Sequence, residues 1–192
     1  MGFTKFFLRL IFAVLVLVGV ILLIGTMISR DYSLEATVTI PAPREKVFAK
    51  LNDLRQWQDW SEFSVETNKG IQSLNYGATT EGKDASLTWT DQRGSGKLWI
   101  TETIPNESLK YIVEFGRFPR MHAEFDLVAD SDEQTTVRWT SAGRLPPGPF
   151  YGWFGMYVSE NLKQQYERNL EKLSQLFTTQ ETPTEEVKEP SE

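Results

Sequence analysis

The chain has 192 residues, no cysteine and one histidine: enough for one ordinary domain with attachments, and no material for disulfides, thiolate zinc sites or cysteine nucleophiles. Its net charge of −6 divides into +3 on residues 1–30, −5 on residues 31–177 and −4 on residues 178–192. An acidic domain lacks the basic face that nucleic acid requires, so no nucleic-acid partner is expected, and a lone histidine argues against a metal site.

Residues 1–9 form a short basic tail with Lys5 and Arg9. Residues 10–28, LIFAVLVLVGVILLIGTMI, carry no charge. At 1.5 Å per residue this run spans ~29 Å, one hydrocarbon core. A cleaved signal peptide has a shorter apolar stretch and an A-x-A-like site, and both features are missing here. An uncleaved transmembrane helix over 10–28 is therefore expected, in a single-pass protein. Gly2 is no myristoylation signal, because Phe6 stands where Ser or Thr is required. Basic residues nearly balance across the run, with Arg30 on the far side. The short basic tail favours a cytoplasmic N-terminus and a domain on the periplasmic or extracytoplasmic side. The acidic domain is repelled by an anionic leaflet, so the anchor, not surface charge, holds it there.

DYSLEATVTI reads as a strand, with Leu34, Ala36, Val38 and Ile40 on one face and Pro41 and Pro43 ending it. PREKVFAKLNDL follows as a helix burying Val47, Phe48, Leu51 and Leu54. In LRQWQDWSEF, Trp57, Trp60 and Phe63 recur every third residue, the spacing of one face of a helical or 3₁₀ turn. Period-two alternation then runs from Ser73 to Gly143. One face collects Ala85, Leu87, Trp89, Leu109, Tyr111, Val113, Phe115, Met121, Ala123, Phe125, Leu127, Val137, Trp139 and Ser141. His122, Glu124 and Asp126 fall on the other face, as in an antiparallel sheet with one side buried and one wet.

After LPPGP, a helix over 150–177 carries an apolar stripe of Phe150, Phe154, Tyr157, Leu162, Tyr166, Leu170, Leu173 and Phe177. Residues 178–192 are rich in Glu, Thr and Pro and read as a disordered acidic tail. One helix cannot cover so many strands flat, so the sheet is expected to curl around it, leaving a cradle suited to a cavity.

Two segments carry a family resemblance. IPAPREKVFAKLNDLRQWQDWSEF and GPFYGWFGMYVSENLKQQYERNLEKLSQL resemble the opening strand–helix–"W-x-x-W-S" segment and the final turn and helix of the START-like (SRPBCC) superfamily. Within it the chain resembles the polyketide cyclase/dehydrase-like group, over residues 33–177. The resemblance implies an α+β helix-grip (START-like) fold: a curved antiparallel β-sheet wrapped around a long C-terminal α-helix, here preceded by one transmembrane helix. It leaves function open, because lipid carriers, allergens, chaperone co-activators and cyclases share the fold.

The expected interior is almost wholly apolar, with no tuned carboxylate or imidazole, so no catalytic residue and no cofactor are assigned. The ligand-binding candidates are Trp57, Trp60, Trp89, Tyr111, Val113, Phe115, Met121, Phe125, Trp139, Ser141, Phe154 and Tyr157. Three functions compete. The first is a membrane-anchored, non-catalytic carrier or sensor of a hydrophobic small molecule or lipid. The second is an interaction module for a membrane-protein partner. The third is a cyclase/dehydrase-like enzyme on an aromatic or polyketide-like substrate, using Tyr111, Glu102 or Glu114. The cluster FYGWFGMY either packs the helix start against the sheet or forms an apolar portal toward a bilayer.

Overall fold

The computed structural model describes residues 2–64, 70–92, 94–116 and 118–178, without the side chains of Phe154, Met156 and Val158. Of the acidic tail expected over residues 178–192, Thr178 ends the last helix and residues 179–192 lie outside the described residues.

The chain begins with α1 (Gly2–Met27), whose apolar side chains are exposed along its length. It is long and apolar enough to cross a membrane. After a three-residue link come β1 (Asp31–Ile40) and α2 (Arg44–Asn52), which buries Val47, Phe48 and Leu51. The helix expected to continue to Leu54 stops at Asn52, because Asp53 turns extended, at φ −102° and ψ 110°. The Asp53 carboxylate then accepts from Arg55 N at 3.0 Å and caps a 3₁₀ helix, Leu54–Asp59.

Six more strands follow: β2 (Ile71–Tyr76), β3 (Ser86–Asp91), β4 (Gly94–Ile104), β5 (Ser108–Phe115), β6 (Met121–Ser131) and β7 (Gln134–Arg144). They form one antiparallel sheet in the order β1-β7-β6-β5-β4-β3-β2, so every strand but β1 lies beside its sequence neighbour. β1 closes the sheet against β7, with Ala36 opposite Trp139 and Val38 opposite Val137. The turn from β4 to β5 places Asn106 at φ 64°, a left-handed conformation that Asn tolerates. A bulge at Thr101 shifts the register between Ile100 and Glu102, so Ile100 points inward while Glu102 stays in solvent.

The inward face follows the sequence alternation. Ala85, Leu87, Trp89, Leu109, Tyr111, Ala123, Phe125, Leu127, Val137, Trp139 and Ser141 are buried, and Val113, Phe115 and Met121 are half-buried. α3 (Pro149–Thr178) lies along β1 inside the curve and buries Tyr166, Leu170, Leu173 and Phe177. This is the helix-grip architecture.

The long stripe expected on α3 is not one stripe. Phe150 and Tyr157 are 64% and 68% exposed, whereas Tyr166, Leu170, Leu173 and Phe177 are buried. The step from Tyr157 to Leu162 is five residues, a turn of about 140° at 3.6 residues per turn, which carries the apolar face around the helix. The start of α3 packs against α1, with Gly152 on Gly25 and Ile28 and Trp153 Nε1 donating to Ile21 O.

Candidate functional site

A continuous run of rings fills much of the space between sheet and α3. Trp57 and Trp60, side by side at 5.2 Å between centroids, are fully buried. Trp57 meets the edges of Tyr111 at 5.2 Å and Phe125 at 5.9 Å. Trp60 meets Trp139 at 6.0 Å, Phe125 lies 4.7 Å from Trp139, and Trp139 stacks on Tyr166 of α3. Toward the other end, Phe63 bridges Trp57 and Trp89, and Trp89 runs parallel to Phe115 at 6.2 Å. Edge-to-face and offset contacts of this kind add to the burial energy of each ring. Trp89 lies over Gly96, where a Cβ would come within 2.1 Å of the indole, so β4 needs glycine at that point.

The segment that places Trp57 and Trp60 is held by its own hydrogen bonds. Trp57 Nε1 donates to Leu51 O at 2.8 Å. Ser61 Oγ donates to Trp57 O at 2.7 Å and accepts from Phe63 N at 3.2 Å. Ser61 is a turn hydroxyl with a structural task.

A few polar atoms lie within this apolar interior. Trp139 Nε1 donates to the Tyr111 hydroxyl at 2.9 Å. Burial pushes the Tyr111 phenol well above the ordinary tyrosine range, and it pushes Tyr166 up to about 12, so both stay protonated at neutral pH. Trp60 Nε1, Ser141 Oγ and Asn169 Oδ1 are buried with no hydrogen-bond partner among the described residues. Ser141 faces the Tyr166 hydroxyl closely enough to favour its ionised form, but the two do not reach hydrogen-bond geometry. Asn169 was not a sequence candidate. Its signal is positional: it sits three residues after Tyr166 and four before Leu173, on the buried face of α3.

The other candidates divide. Val113, Phe115 and Met121 line the half-open end of the sheet. Tyr157 is not brought to the interior; it is exposed on the far side of α3, and the Phe154 side chain lies outside the described residues. Glu102 and Glu114 are 52% and 41% exposed on the outer face, paired with Lys110 and Arg120. His122 is exposed there too, beside a shallow groove of about 280 Å³ that includes Lys110, Glu124 and Thr140. Among the described residues the one buried carboxylate is Asp91, which accepts from Gly94 N at 3.1 Å in the β3–β4 turn. No acid–base pair therefore faces the interior among the described residues.

Residues 32–178 match the model of a family described as polyketide cyclase/dehydrase and lipid transport. A search of curated proteins gives no significant match. Solved structures share the fold. TTHA0849 from Thermus thermophilus is 20% identical, with a TM-score of 0.60 over 79% of this chain and 100% of its own. The Aha1 dimer from Colwellia psychrerythraea is 15% identical, with a TM-score of 0.55 over 79% and 99%. DynU16, a protein in the dynemicin biosynthetic locus, is 19% identical at a TM-score of 0.53 over 77% of this chain; the chain spans 48% of DynU16.

Proposed function

The chain belongs to the polyketide cyclase/dehydrase and lipid transport family, and on that premise we propose that it is a membrane-anchored, non-catalytic carrier or sensor of an apolar small molecule or lipid. The ligand sits between the sheet and α3, and α1 is the anchor, with the domain on the extracytoplasmic side. The observation that carries this reading is the set of unpaired polar atoms in an aromatic interior: Trp60 Nε1, Ser141 Oγ and Asn169 Oδ1. Each unpaired buried group costs about 1–3 kcal/mol, and a ligand whose hydroxyl or carbonyl reaches one of them recovers that cost. Trp60 and Ser141 supply donors and Asn169 an acceptor, so the group recognised is a polar terminus and not a charge.

The enzyme reading loses its carboxylates, because Glu102 and Glu114 point into solvent. Tyr111 remains, but it is protonated and already accepts a hydrogen bond from Trp139. The interaction-module reading is favoured by a different observation, the ring contacts that already fill much of the cradle.

Native mass spectrometry of the full chain extracted from its own membranes, followed by organic extraction, separates the two. A stoichiometric apolar ligand, reduced in Asn169→Leu, supports the carrier or sensor. A chain that is consistently empty, together with one co-purifying membrane protein, supports the interaction module.

A further inference from the structure

The start of α3 presents exposed aromatic side chains. Phe150, Trp153 and Tyr157 are 64%, 40% and 68% exposed, and they share one face of the helix at spacings of three and four residues. On that same face Glu160, Gln164 and Glu167 follow, all exposed, so its character changes from aromatic to polar within one turn after Tyr157.

This aromatic face is fastened to α1. Gly152 packs so closely on α1 that a Cβ there would lie 2.4 Å from Gly25 O and 2.9 Å from Ile28 Cβ. A Cβ on Gly25 would meet Pro149 O at 2.0 Å. Trp153 Nε1 donates to Ile21 O at 3.1 Å. Ile21 is six residues before the end of α1, so at 1.5 Å per residue the Trp153 indole is tied about 9 Å inside the end of the span. If α1 crosses a bilayer with Ile28 at the end of the apolar span, Pro149 and Gly152, packed against Gly25 and Ile28, lie at the boundary between headgroups and acyl chains, where Trp and Tyr are most favourable, and the Trp153 indole reaches from there into the acyl chains.

We propose that residues 149–157 of α3 form a second membrane-contacting element, whose aromatic face rests in the interfacial layer of the leaflet from which α1 emerges. The inference rests on the anchor reading of α1 and adds to it a fixed depth and orientation for the domain. The occupant of the face is lipid, because the face is continuous with α1 and ends at Glu160, as an interfacial boundary requires.

The absence of cysteine allows single spin labels in the full chain. Phe150→Cys, Tyr157→Cys, Glu160→Cys, Val128→Cys on the exposed side of β6 and Leu15→Cys in α1 are each labelled and reconstituted into phosphatidylcholine/phosphatidylglycerol vesicles. Collision with oxygen, which enters lipid, is compared with collision with a water-soluble nickel chelate. The expected oxygen-to-nickel ratio is highest at Leu15, several-fold above Val128 at Phe150 and Tyr157, and close to Val128 at Glu160. A deep Leu15 with Phe150 and Tyr157 equal to Val128 overturns this inference while leaving the anchor in place. Shielding of Phe150 and Tyr157 from both reagents overturns it in favour of a protein cover. An aqueous Leu15 overturns the anchor reading and this inference with it.

Discussion

Trp139 on β7 and Tyr166 on α3 stack face to face, with ring centroids 3.6 Å apart and planes within 8° of parallel. This contact joins the sheet to the helix it wraps, at the centre of the interior, and both rings are almost fully buried. Tyr166→Ala removes one side of it and leaves a ring-sized void. The expected loss is about 3–5 kcal/mol, as for other large aromatic-to-alanine changes in cores. Urea denaturation of the reconstituted or detergent-solubilised chain measures it. A loss below about 1 kcal/mol would show that the site collapses easily or was never tightly packed.

Tyr111 tests a hydrogen bond instead of a volume. Tyr111→Phe keeps the ring and removes the acceptor of the Trp139 indole N–H. A buried donor left unpaired costs about 1–3 kcal/mol. Trp139→Phe also breaks the bond, so the double variant is expected to be less destabilised than the sum of the singles. A double-mutant cycle that closes additively would mean the bond contributes nothing to stability.

The raised tyrosines give a pH dependence with a definite sign. In the unfolded chain Tyr166 loses its proton near 10.0, whereas in the folded protein burial holds it until about 12. Between those values the unfolded state binds fewer protons, so stability falls as pH rises. The contribution is complete below pH 10 and its loss approaches ~2–3 kcal/mol at the upper end of the window. Tyr111, raised for the same reason, acts in the same direction. Tyr166→Phe removes one of the two, so the stability of the wild type relative to Tyr166→Phe should decline from pH 9 to 12. A constant difference across that range would mean Tyr166 titrates as an exposed phenol.

What could be read from the sequence follows from which patterns have one solution. Strand alternation has one: a slip of a single residue inverts every side chain, so Trp89, Tyr111, Phe125 and Trp139 had to share a face, and they do. The Trp57–Trp60 pair was legible as one face of a short helical turn, and the 3₁₀ segment carries Trp57 with Trp60 as its C-cap, both buried. The α3 stripe had two solutions, because the five-residue step after Tyr157 lets the apolar face move around the helix, and α1 was the partner available to take the other side. How far the interior is filled is not a property of any one segment. It depends on how closely α3 approaches β7, which Tyr166 and Trp139 decide only once the sheet has curved. Asn169 was hidden by its chemistry, since a polar residue inside a buried stripe reads as exposed until its neighbours are placed.

The outer-face carboxylates give a prediction about ligand binding and stability. Glu102→Gln and Glu114→Gln remove charges paired with Lys110 and Arg120 in solvent, where exposed pairs contribute little. Neither change should alter ligand content in native mass spectrometry or the urea midpoint. Loss of bound ligand in either variant would place a recognition element on the outer sheet face and redirect attention to the groove beside His122.

The α1–α3 contact can be separated from the anchor by comparing two glycines on the same helix. A side chain at Gly25 collides with Pro149 O and the Trp153 indole, whereas a Cβ at Gly19 meets nothing within 4 Å. Both Gly→Leu variants keep α1 apolar, so both should still insert. Gly25→Leu should push the start of α3 away from α1, and amide hydrogen exchange across residues 149–157 should accelerate in vesicles. Gly19→Leu should leave that exchange unchanged. Equal exchange in the two variants would mean that α3 is held by the sheet alone and that the close approach of Gly25 to Gly152 does not set the position of the domain on its anchor.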